Sequence, residues 1–205
     1  MFNRFLNLLT WLSHPLLIPT YLILLLFRSN TYLAYTLSPS LQRIILITIF
    51  VLTFLMPLLS SVLLLRRGGL QSLLLEDRKS RYVPYFFTLI YYVACYYFLL
   101  KLPVSSVIKI LILAAACCIA LAFIINFFWK ISIHLIGLGG MTGALYVLSV
   151  LLGNEFILPM ILCFILSGLV ASARLLHGAH TPWQLYAGFL AGFVCEYFFI
   201  MYSLS

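Results

Sequence analysis

Seven long runs of apolar residues, separated by short polar stretches, organise this chain of 205 residues. They cover Pro15–Phe27, Leu41–Leu65, Pro84–Leu100, Val104–Trp129, His134–Leu152, Phe156–Ala173 and Pro182–Tyr202. A helix needs about 20 apolar residues to cross a bilayer, so each run is read as a membrane span. The expected fold is all-α, a polytopic membrane helix bundle of six to seven transmembrane helices forming one domain over residues 1–205. The first run is the shortest and carries Pro15 and Pro19. Its start lies as early as Phe5 in a longer reading, and six helices plus an irregular first segment is the alternative.

Composition supports the membrane reading. Hydrophobic residues make up 65%, aromatics 16% and charged residues 8%, with a mean hydropathy of +1.18. A water-soluble core of this size could not hide that much apolar surface. Arg4 precedes a hydrophobic run with no small-residue cleavage site after it, so the amino terminus is read as a retained span. Cys95, Cys117, Cys118, Cys163 and Cys195 all fall inside apolar runs without C-x-x-C spacing. They read as buried hydrophobes, not as a disulfide framework or a metal site. The net charge of +8 comes with no basic run interleaved with polar surface. It is therefore assigned to membrane flanks or an anionic substrate, and nucleic acid is not an expected partner.

The polar punctuation is uneven. "RRGGLQSLLLEDRKSRYVP", "FFWKISIHLIGLGG" and "ARLLHGAHTPWQ" join the second to third, fourth to fifth and sixth to seventh runs. Counting crossings, all three emerge on one face. That face holds Arg4, Arg66, Arg67, Arg78, Lys79, Arg81, Lys130 and Arg174; the other holds Arg28, Arg43, Lys101 and Lys109. Eight against four places the richer face in the cytoplasm. If the five cations of the conspicuous clusters serve a site, three against four decides nothing. Gly139 with Gly143, and Gly188 with Gly192, are spaced for close helix packing and are given no chemistry.

Three clusters carry candidate chemistry. In "SARLLHGAHTPWQ", Thr181, Pro182 and Gln184 read as the N-cap, N1 and N3 positions of the last helix, a capping box. Arg174, His177 and His180 are not explained by that. A guanidinium near hydrocarbon costs about 2.5–3.5 kcal/mol on insertion scales, so Arg174 either snorkels or has a partner. His180 precedes a helix amino terminus, where free N–H groups favour an anion. "KISIH" offers Lys130, Ser132 and His134; "EDRKSRYVP" offers Arg78, Lys79 and Arg81 beside Glu76 and Asp77. Taken singly, the last two are ordinary interfacial charges. Converging on one face, the three supply a nucleophile, a proton donor and fixed positive charge, the parts phosphoryl transfer from a lipid phosphate requires.

These residues resemble the type 2 phosphatidic acid phosphatase (PAP2) superfamily of membrane lipid phosphatases, as a degenerate bacterial-type member. The family pattern is K-x6-R-P, then P-S-G-H, then S-R-x5-H-x3-D. Arg174 and His180 reproduce R-x5-H, with Gln184 where the Asp would stand. Ser132 and His134 reproduce S-x-H, with Ile131 and Ile133 for the Pro and Gly. Arg81 and Pro84 copy the first motif loosely, and Leu74 stands where its lysine would be. The similarity spans roughly Glu76 to Gln184. It implies His180 as nucleophile, His134 as acid and Gln184 as orienting residue. It further implies Arg174 and Arg81, with Arg78, Lys79, Lys130 and Ser132, as the phosphate-binding set. No metal or other cofactor is implied. The expected partners are a lipid phosphate or pyrophosphate substrate and the bilayer of a bacterial inner membrane; oligomeric state is left open.

Other readings follow from the same residues. A catalytically impaired relative would bind anionic lipid headgroups or act as a membrane partner subunit. His134, His177 and His180 could make an open metal site, but neighbouring arginines oppose a cation. Glu196, about 21 Å along the last helix by the helical rise, would suit a transporter. It is read instead as reaching water near the far interface. The tyrosines of "LIYYVACYYF" read as an interfacial belt and packing surface.

Overall fold

The computed structural model describes residues 8–69 and 77–204. Arg4, Phe5, Leu74 and Glu76 lie outside the described residues. The described chain is all-α, with seven helices long and apolar enough to cross a membrane, as in an integral multi-pass membrane protein. They are α1 (Leu8–Arg28), α2 (Pro39–Arg66), α3 (Lys79–Leu100), α4 (Ser106–Asn126), α5 (Ile133–Leu152), α6 (Asn154–Leu176) and α7 (Pro182–Leu204).

Two spans are irregular, each at a proline. Pro15 has no N–H to continue a helix, so α1 breaks at Ser13–His14 and resumes through a tight turn over Pro15–Leu17. His14 caps that turn, its Nδ1 accepting the Leu16 N–H at 3.3 Å. In α2, Pro57 removes another donor, and the chain widens over Val51–Leu55, where the Met56 N–H reaches back to the Val51 carbonyl. Such π-type turns absorb a local mismatch in the helix ladder.

Opposite faces of the bundle are pinned differently. On one, Arg78 Nη1 donates to the Phe128 carbonyl at 2.7 Å and Arg81 Nη1 to that of Ile131 at 3.0 Å. Asn126 Nδ2 donates to the Arg78 carbonyl at 2.9 Å, and the Ser132 N–H to the Gln184 carbonyl at 3.4 Å. The three cationic connections thus meet on one face. On the other, the Asn30 N–H donates to Glu155 Oε2 at 2.5 Å.

The tightest helix pair is α5 with α7. A Cβ added at Gly192 would collide with the Ile136 carbonyl, and one at Gly139 with that of Phe189. At Gly143 it would lie 2.6 Å from the Phe193 oxygen, and at Gly188 2.9 Å from the Ser132 oxygen. These four glycines bring two backbones into direct contact, the arrangement that small residues permit within a bilayer.

The contact corrects one expectation. Glu196 does not reach water: it is 4% exposed, packed among helices. The reason lies across the interface, where Gly140 leaves room for its side chain; a Cβ there would lie 3.0 Å from Glu196 Cγ. The tyrosine belt also divides, since Tyr97 is exposed while Tyr92 is wholly buried.

Gly192→Ala is therefore expected to cost about 1–3 kcal/mol or more, the range for overpacking a filled core. Gly168→Ala, whose new methyl meets nothing within 4 Å, should cost nothing. Thermal unfolding of both variants in detergent distinguishes them, and equal stability would contradict the α5–α7 contact.

Candidate functional site

Local rules fix the spacing of the arginine and histidine that close α6 and open α7. Arg174 lies in the last turn of α6. The chain then reverses at Gly178, whose φ of +62° suits glycine. The Gly178 N–H bonds the Leu175 carbonyl at 2.9 Å and the Ala179 N–H that of Arg174 at 3.1 Å, a Schellman ending. Three residues after Ala179, α7 begins at Pro182. Five intervening residues are thus what a glycine-terminated helix and a proline-started one require.

Gln184 ties the next residue down. Its Oε1 accepts the Thr181 N–H at 3.1 Å and lies 3.1 Å from His180 Nδ1. The backbone donor identifies that atom as the amide oxygen, so Nδ1 of His180 carries the proton. Nε2 is left with its lone pair. One oxygen both completes half of the capping box and sets the tautomer of a buried imidazole.

Four expected site residues line one cavity of about 140 Å³: Arg81, His134, Arg174 and His180. Arg81 and His180 are buried, at 4% and 8% exposure. The Nε of Arg174 is buried without a hydrogen-bond partner among the described residues. Gln184 joins through His180. The remaining candidates stand outside the lining. Arg78 holds the Phe128 carbonyl, Lys79 is exposed, and Ser132 is wholly buried behind the wall with its hydroxyl unpartnered among the described residues. Lys130 adds to the positive charge that acts on His180. His177 is exposed. Among the described residues no group of three or more His, Cys, Asp or Glu could hold a metal ion.

The structure adds a residue that the motifs do not contain. His14, at the break in α1, lines the same cavity. Its ring centroid is 5.8 Å from that of His134, nearly perpendicular. Because its Nδ1 takes the Leu16 N–H, its Nε2 bears the proton in the neutral form. The hydroxyl of Tyr85 is buried in the same wall, beside Arg81, and Trp11, largely exposed, stands at the rim. The signal available in sequence was parity, which brings the α1 amino terminus to the cationic face.

The electrostatics suit an anion. The described lining contains two arginines and three histidines and no Asp or Glu. Burial is the main cause that pulls His180 down from an ordinary value of 6.5 to about 4; Arg81, Arg174 and Lys130 add to it, while the bond to Gln184 opposes it. His180 is therefore neutral at physiological pH, with Nε2 available as a nucleophile. No family model, curated protein or solved structure matches the chain.

Nitrogen NMR of labelled histidines should show His180 protonated on Nδ1 and titrating with a midpoint near 4. Arg174→Met should raise that midpoint, because it removes a charge that disfavours the imidazolium. Since the unfolded chain binds this proton first, His180 makes stability fall as pH drops through the interval from 6.5 to about 4. A midpoint near 6.5 with no response to Arg174→Met would contradict the buried, cation-flanked placement.

Proposed function

We propose that this protein is a membrane-embedded phosphatase that hydrolyses a lipid phosphate or pyrophosphate through a phosphohistidine formed on His180. The observation that carries the reading is the meeting of Arg174, His134 and His180, distant in the chain, in one cationic cavity. It also supports the resemblance to the PAP2 superfamily drawn from the R-x5-H and S-x-H spacings. The setting this resemblance implies is a bacterial inner membrane.

In this reading the Nε2 lone pair of His180 attacks phosphorus while the bond to the leaving oxygen breaks. His134, which takes up a proton when the anionic substrate offsets the arginines, gives that oxygen the proton. Arg174 and Arg81 hold the phosphoryl oxygens, where fixed positive charge stabilises the charge of the transition state. Water then attacks phosphorus, His134 takes a proton back, and phosphate leaves with His180 restored. His14 adds a further N–H donor on the wall that His134 shares. A polyprenyl pyrophosphate or a phosphoglycerolipid precursor fits a polar cavity set in an apolar bundle.

A second reading rests on Gln184. Its amide orients His180 but supplies no charge to the phosphohistidine, as a carboxylate would. A protein so built would bind anionic headgroups, or serve as a membrane partner subunit, with little turnover.

Phosphate release by the purified protein from a panel of lipid phosphates and pyrophosphates tests the two. The phosphatase reading expects release that His180→Ala reduces to background. A carboxylate beside the imidazole is worth about 10⁴ in turnover in a serine-protease triad, so Gln184→Asp should raise release by a sizeable part of that factor. No release from any substrate by either protein, with anionic lipid binding lost in Arg174→Ala, would establish the second reading.

A further inference from the structure

Glu196 is a buried acid that the proposed phosphatase chemistry does not use. It lies about 21 Å along α7 by the helical rise, a helix of 23 residues, and so at hydrocarbon depth. Its Oε2 is buried without a hydrogen-bond partner among the described residues. The titratable groups around it are the Tyr92 hydroxyl from α3, the Cys117 and Cys118 thiols from α4, and Cys195 beside it on α7. From α5 it meets Gly140. None of these is a cation, and the Cys118 thiol points to the Gly192 carbonyl at 3.8 Å.

A separate cavity of about 30 Å³ opens beside the carboxyl, bounded by Tyr92 and Cys118. That is enough for one water molecule. The cavity adjoins the cationic one: Pro15 and Ile133 line both. The residues next to these two in the chain, His14 and His134, line the cationic cavity on the other side of that shared wall. Ionisable residues within membrane spans mark substrate, ion or proton pathways, and a cavity with room for one water suits a proton.

We propose that Glu196 is a proton-binding site in the membrane interior, filled and emptied through the cavity that holds His14 and His134. Emptying passes one proton from the carboxyl, through water, to a ring nitrogen of His134 and on to the open end of the cavity, leaving a carboxylate; the imidazolium is only transient, because Arg81 and Arg174 line the same wall. His134 is the receiving group because Nδ1 of His14 is taken by the Leu16 N–H and its Nε2 already carries a proton. Filling reverses the step. The site does not depend on the phosphatase reading: a protein that hydrolyses nothing would bind the same proton.

The test treats wild-type protein in phosphatidylcholine vesicles with dicyclohexylcarbodiimide. This apolar reagent adds to protonated carboxyls to give an N-acylurea that retains every atom of the reagent. Mass mapping should find the adduct on Glu196, lost in Glu196→Gln and declining as pH is raised. The acid carbonyl stretch lost after a pH jump should also disappear several-fold more slowly in His134→Gln than in wild type. Absence of the adduct, or a yield indifferent to pH, overturns the proton site. An unchanged rate in His134→Gln overturns the route. The labelling result is read on wild-type protein, so a variant that fails to fold does not blunt it.

Discussion

The backbone contact between α5 and α7 is the constraint from which the rest of the site follows. Gly139 and Gly143 face the carbonyls of Phe189 and Phe193, and Gly188 and Gly192 face those of Ser132 and Ile136. With no side chains between them, the helices cannot slide without collision, so their amino termini are locked at one level. His134 sits in the first turn of α5 and His180 just before α7. Locking the two starts is what places both imidazoles on one cavity. The Ser132 N–H bonded to the Gln184 carbonyl is the same register seen as a hydrogen bond.

The site inherits its charge from a different part of the chain. Arg78 and Arg81 reach from the start of α3 to the carbonyls of Phe128 and Ile131, in the connection between α4 and α5. Arg78 is thereby a clamp between two connections, whereas Arg81, one helical turn on, is carried inward to the cavity wall. The division of labour explains why a cluster of three basic residues contributes one to the lining.

How much of this the sequence displayed depends on the range of the physics involved. The helix start at Thr181–Pro182 was legible because caps are local. So was the Arg174–His180 spacing, since a Schellman turn and an N-terminal proline fix it within a few residues. The break in α1 showed only as ambiguity, because Pro15 and Pro19 signal an interruption without saying whether the chain resumes. His14 was not legible as a site residue, since its partner His134 comes from a helix four spans later. Glu196 was misread for the same reason: its depth was visible, but its burial is decided by Gly140 on the opposing helix. Lys130 and Ser132 show the converse limit. Both stand within four residues of His134 in the chain, yet neither lines the cavity, and Ser132 is wholly buried.

Gln184 gives the charge arrangement its meaning. A carboxylate at that position would orient His180 equally well, but it would place a negative charge beside Arg174 and Arg81 and weaken the cavity's hold on an anion. The amide keeps the orientation and leaves the positive field undiminished. Under the phosphatase reading, this favours tight retention of a phosphate or pyrophosphate over rapid turnover of the phosphohistidine, because the cationic intermediate gains no counter-charge. The buried acid among the described residues is instead Glu196, which borders a separate cavity whose described lining includes Ile133, Ile136 and Gly140 but no arginine. Separating the acid from the guanidiniums prevents the internal ion pair that would otherwise quench both sites. It thereby keeps one cavity suited to anions and the other to a proton.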